Sequence, residues 1–236
     1  MLEPDPTTRA VPTHAAPGTG RGLDSPYALQ ILSTEHWSLL TSRSLGYTEA
    51  MSRTSIFVAA LTGSVVALAL VGQATDFEDA FVAFTLVLLP VVFFLGVVTI
   101  VRLGQINWED AVWVQGMNRI RHAYLELTPD LEPYFVASKH DDDQGILLTT
   151  LARRSVRPQF QGFVAVPGVV AVLDSVVAGA TAGIAALGSG QGTGVCVLLG
   201  VITFVATLAA FVVFAVVSIG RYRRSAVVRF PSPPKR

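Results

Sequence analysis

Residues 55–74 read SIFVAALTGSVVALALVGQA, and residues 80–101 read AFVAFTLVLLPVVFFLGVVTIV. Neither run contains a charged side chain, and charge brackets both: Arg53 and Asp76 around the first, Asp79 and Arg102 around the second. A helix needs about 20 mostly apolar residues to cross a hydrocarbon layer of about 30 Å. Both runs meet that length, and the second span is carried to residue 103. Residues 163–187 and 195–220 form two further runs of the same kind. Buried soluble helices could imitate one such run. Four in 236 residues predict an all-α membrane protein with four transmembrane helices in two hairpins.

Composition agrees with this. Charged residues make up 14% of the chain, well below the roughly 25% of a soluble domain, and the deficit lies in the four runs. A net charge of zero gives no basic surface for nucleic acid. Cys196 is the single cysteine, so neither an intrachain disulfide nor a multi-cysteine metal site can form. Residues 1–26 hold five of the 13 prolines and no apolar core. They read as a disordered tail rather than a secretory signal.

The cations set the direction of insertion. All 17 Lys and Arg residues fall in the N-terminal segment, in the long connection between the second and third runs, or after the fourth. The connections at residues 73–79 and 188–194 carry none. The positive-inside rule therefore places both termini and the long connection in the cytoplasm of a plasma (inner) membrane protein. The basic tail, residues 221–236, lies on that side.

Two helical stripes adjoin the spans. Ile106, Trp113, Met117, Ile120, Tyr124 and Leu127 recur at steps of seven, four, three, four and three, a helix period. No proline separates them from the second span, so that helix is predicted to run on until Thr128-Pro129. Upstream, Ser25-Pro26 is a candidate helix start, followed by Trp37, Leu40, Tyr47 and Met51. The two stripes are expected to pack as an antiparallel pair extending the first two spans, residues 27–54 leading in and 104–162 leading out. The competing reading is that the helices of residues 27–52 and 104–127 bind a cytoplasmic protein or further copies of the chain.

Inside the membrane, Ser175, Gly179 and Gly183 follow one another at four-residue steps in the third run, and Gly63 lies between Ala59 and Ala67 in the first. Small residues at this spacing let helices approach closely. The first and third helices are therefore expected to form the tight centre, with the ring-bearing second and fourth facing lipid. Pro90, in the middle of the second run, removes a backbone hydrogen bond and predicts a kink.

Asp174 is the one charged residue inside a run. Counting back from Leu187 places it about 9 Å inside the cytoplasmic boundary, where a charge is costly. Three readings stay open. Asp174 pairs with Arg102 or Arg53, it is neutral or solvated in a vestibule serving protons or cations, or Pro167-Gly168 starts a re-entrant segment that leaves it near the interface.

Other signals carry no chemistry. Residues 140–143 read HDDD, then Gln144-Gly145, without the alternating acids and closing glutamate of a calcium loop. They are expected to form a solvated acidic loop. His36 and His122 lack ligands at metal spacing, and the glycine-rich residues 188–194 lack a phosphate-binding lysine. No metal, cofactor or catalytic pair is predicted.

Residues 29–40, LQILSTEHWSLL, with Arg43-Ser44-Leu45, and residues 116–126, GMNRIRHAYLE, resemble uncharacterised small multi-pass membrane proteins of high-GC bacteria. No activity is established for those proteins, so the resemblance implies none. The functional expectation is a non-enzymatic membrane scaffold or interaction protein, with a homo-oligomer among its expected forms; the alternative is a small channel or transporter subunit using Asp174.

Overall fold

The computed structural model describes residues 22–151 and 166–234. Most of the segment expected to be disordered, and the first residues of the third run, lie outside that range. Among the described residues there are five α-helices and no strand: α1 (Ala28–Ala74), α2 (Asp79–Leu127), α3 (Asp143–Leu151), α4 (Val166–Gly188) and α5 (Thr193–Ser225). Four of them, all but α3, are long and apolar enough to cross a membrane.

Helices α1 and α2 have 47 and 49 residues, about 70 Å each at 1.5 Å per residue. A span uses less than half of that, so both continue outside the bilayer as an arm. The helix starts at Ala28, two residues after Pro26, because Ser25 turns the chain: its carbonyl accepts from the Ala28 amide at 3.0 Å. Leu127 ends α2 ahead of Pro129, and a 3-10 turn follows at Pro129–Tyr134. Hydrogen-bonded helix continues through Pro90, so the proline does not divide α2.

Both hairpins are tight. Between α1 and α2, Asp76 and Phe77 adopt positive φ, and the Phe77 ring folds over Gly72, where a Cβ would lie 2.4 Å from ring carbon Cε1. Between α4 and α5, Gly190 takes φ +75°, a conformation glycine adopts without steric cost.

The helices pack as a row in which α2 lies between α1 and α4, and α5 lies on α4. Two contacts fix α2 and α4 as antiparallel in constant register: Gly96 meets Asp174, and Gly188 meets Val82, each fourteen residues from its counterpart. Helices α4 and α5 follow the same logic, Gly179 against Gly200 and Gly183 against Cys196. The expected centre of first and third helices is therefore corrected to second and third. The reason is that α4 is small on two sides at once and accepts a close neighbour on each. Gly63 of α1 meets nothing within 4 Å and opens instead onto a groove of ≈ 380 Å³ lined by Ala60, Ser64, Phe84, Val92 and Leu95 among others. The apolar core joins Phe57 of α1, Leu89, Val92, Ile100 and Leu103 of α2, and Val170, Ala171 and Val177 of α4.

Candidate functional site

Asp174 sits at the α2–α4 contact, fully buried. Its carboxyl lies against the α2 backbone, since a Cβ on Gly96 would be 2.0 Å from Oδ1 and 2.8 Å from Oδ2. Neither oxygen has a hydrogen-bond partner among the described residues. Neighbouring Ser175, also buried, donates to the Ala171 carbonyl of its own helix at 2.7 Å.

The pairing expected of Asp174 with Arg102 or Arg53 is absent. Arg102 donates to both oxygens of Glu49 (Nε to Oε1 2.9 Å, Nη2 to Oε2 2.8 Å) and reaches Glu109 at 3.1 Å. Arg53 donates to Glu49 at 2.8 Å. By the α2–α4 register Arg102 is level with Gly168, roughly 9 Å along the axis from Asp174, and Glu49 offers it a carboxylate at its own height. Hydrogen bonds from Arg102 and then Arg53 hold the Glu49 carboxyl down at about 2. Its depressed value means this contribution is complete above the ordinary carboxyl range and lost only as pH falls through about 2.

The arm is a zipped pair. Arg43 Nε donates to Asp110 Oδ1 at 2.6 Å. Leu39 lies over Gly116, and Trp113 over Gly46, where a Cβ would come within 2.9 Å of each. Most of the α2 stripe turns inward as expected, with Ile106, Met117 and Ile120 buried, whereas Leu127 at its end is exposed. The α1 stripe does not. Trp37 and Tyr47 are 66% and 67% exposed, and Leu40 is exposed too. Ala28, Leu39 and Gly46 lie on the packed side instead, because the close approach of the two helices needs small residues where Trp113 and Leu39 seat.

The acidic loop is not solvated as expected: Asp141 is fully buried. It receives Arg119 Nε at 2.7 Å and the backbone amides of Arg229 (3.0 Å) and Phe230 (2.7 Å). Asp142 receives the Ser232 amide at 2.9 Å and hydroxyl at 2.8 Å. The basic tail thus returns to the arm. Burial by itself raises the Asp141 carboxyl, but the bonds from Arg119, Phe230 and Arg229 outweigh it and hold the group below its ordinary range. Asp142 shows the same balance, with the Gly145 and Ser232 groups prevailing over burial. The bonds to both aspartates are therefore at full strength above the ordinary carboxyl range and weaken only in stronger acid. Residues 140–143 and 227–232 are some ninety positions apart, and no local pattern links them.

Among the described residues, no group of three His, Cys, Asp or Glu side chains is arranged to hold a metal. Comparison with protein-family models, with curated proteins and with solved structures finds no match. The likeness to high-GC bacterial membrane proteins therefore rests on the quoted residues alone.

Proposed function

We propose that the chain is a non-enzymatic plasma-membrane scaffold that assembles with further copies of itself through the arm, with the arm and both termini in the cytoplasm. The outward-facing apolar residues of α1 carry this reading. Successive helical residues step about 100° around the axis, so buried Gly46 leaves Leu45 and Tyr47 projecting to either side of the packed face, each about two-thirds exposed. Trp37, Leu29 and Ile31 extend the apolar surface toward the N-terminus. Single apolar side chains are ordinary on a surface, whereas this many on one helix outside the bilayer mark a contact. A second copy suits it because the arm's charges Arg43, Glu49, Arg102 and Asp110 are already paired within the chain, and two flanks accept a neighbour on each side. The distribution of all 17 cations supports the orientation.

One experiment addresses both points. In a Cys196→Ser background, Leu45→Cys and Tyr47→Cys together are treated with a membrane-impermeant bifunctional thiol reagent. Inverted vesicles are expected to give a ladder beyond dimer, and right-side-out vesicles none. Only single copies in both would sink the assembly. A ladder from the outer face would sink the orientation, and protection of both thiols without cross-links would point to cover by the chain's own N-terminal residues or by lipid.

A second reading rests on Asp174, whose buried oxygens lack partners among the described residues. Ionisable groups within spans commonly mark ion or proton paths. In this reading the chain is a channel or transporter subunit in which Asp174 binds a proton or small cation. Reconstituted protein then dissipates an imposed pH or cation gradient, and Asp174→Asn abolishes the flux while eluting as the parent does. Flux no greater than that of empty liposomes would overturn it.

A further inference from the structure

We infer that Gln115, Arg119 and His122 of α2, with Asp141 and Asp142, form a peptide-recognition site whose ligand is the chain's own segment Val227–Ser232, held as a releasable strap across the arm.

The contacts are those by which a peptide main chain is read. Main-chain groups dominate: the carbonyl of Val227 accepts from Gln115 Nε2 at 3.2 Å and from Arg119 Nη2. The amides of Arg229, Phe230 and Ser232 each donate to an aspartate, and the Phe230 carbonyl accepts from the Asp141 amide at 3.2 Å. Two side chains add selectivity. The Phe230 ring stacks on the His122 ring with centroids 3.9 Å apart, and the Ser232 hydroxyl reaches Asp142. The site takes a segment bent at Arg229–Phe230, with an aromatic residue two places before a hydroxyl.

The site is organised from behind. Gln115 Nε2 also holds the Asp141 carbonyl at 2.9 Å, Asn118 Nδ2 holds the His140 carbonyl at 2.7 Å, and Asp142 Oδ1 accepts from the Gly145 amide at 2.8 Å. Arg119 touches both the buried carboxylate and the strap. The loop that grips the segment is thus fixed by α2 rather than by the strap. The strap, in contrast, is attached mainly by hydrogen bonds: Val227 and Val228 are 66% and 45% exposed. Such an attachment can open in water without uncovering a core. Only Ala226 separates it from the end of α5, so a closed strap pins α5 to the arm and an open one leaves α5 to its contacts with α4 and, more lightly, α2.

Trypsin reads the strap directly, through the Arg229–Phe230 bond in the full chain in detergent. The rate is referred to a synthetic peptide of residues 226–236 carrying the same sequence. Protection of at least about tenfold is expected for the parent, since one retained hydrogen bond is worth that much. Ser232→Ala, on the ligand, and Asp141→Asn, in the site, should each bring the chain's rate toward that of the free peptide, with cleavage at Arg43, outside the site, unchanged. A parent cut as fast as the peptide would overturn the inference. So would a Ser232→Ala chain with undiminished protection, or an Asp141→Asn chain that loses protection only as the whole arm becomes cleavable.

Discussion

Replacing Gly96 by alanine is expected to loosen α2 from α4, valine to separate them, and Asp174→Ala to restore the contact in the alanine variant. All three terminal atoms of the Asp174 carboxyl lie within 2.8 Å of where the new Cβ must stand. The whole group would therefore have to leave, and it is fully buried with apolar Val170, Ala171 and Val177 of its own helix in the surrounding core. Overpacking a close contact costs about 1–3 kcal/mol, and here the α2 backbone must lift from α4 over the register set by Val82 and Gly188 as well. Asp174→Ala alone should change stability by less than about 1 kcal/mol, because lost packing is offset by removal of polar atoms that have no partner among the described residues. In the double variant the two methyl groups fit where carboxyl and glycine met. Thermal unfolding in detergent, followed by near-ultraviolet circular dichroism, should show a coupling of about 1–3 kcal/mol between the sites. Gly96→Ala as stable as the parent, or equally damaged with and without Asp174, would refute this geometry.

What could be read from the residues alone follows from how local each property is. Hydropathy and length belong to single segments, so the four spans and the continuation of α2 to Leu127 were legible. Short connections at residues 75–78 and 189–192 made each neighbouring pair antiparallel. Periodicity shows that a face exists and not what covers it: Trp37, Leu40 and Tyr47 share a helical stripe, yet the arm closes on the other side, where Gly46 admits Trp113. Counting small residues similarly marked Gly63 and Gly179 alike, while their neighbours differ completely. For Asp174, the cations nearest along the chain axis were natural partners, but Arg102 meets Glu49 from a helix entered fifty residues earlier. The strap was least legible, because a run of acids and a basic tail ninety residues apart look like two solvated surfaces. The fold joins them, through the bonds of Asp141 to Arg229 and Phe230 and of Asp142 to Ser232.

The contrast between Gly179 and Gly63 leads to the other large expected effect. Gly179→Leu should detach α5 from α4, lowering the apparent Tm by about 6–12 °C for a loss near 3 kcal/mol. Gly63→Leu should leave it unchanged. A Cβ at Gly179 would stand 2.7 Å from the Gly200 carbonyl oxygen and 3.2 Å from Phe204 Cβ, and the reciprocal atom at Gly200 would lie 3.1 Å from the Gly179 carbonyl. These are backbone collisions, which no rotamer change relieves. Nor can α5 find another seat. Cys196 is its only buried residue up to Gly220, and in lipid the apolar side chains of α5 gain nothing by moving from hydrocarbon to protein. Close backbone approach along Gly179, Gly183 and Gly200 is thus the main attachment of α5 within the membrane, beside a lighter contact with α2, and the strap at its far end is a further one. Gly63 faces open space beside the α1–α2 groove, so leucine there fills a gap that lipid otherwise fills. A Gly179→Leu protein that melts with the parent would show that α5 is held by something other than this seam. In a Ser232→Ala background, where the strap is weakened, the same substitution should cost more than in the parent, because the two attachments of α5 then fail together.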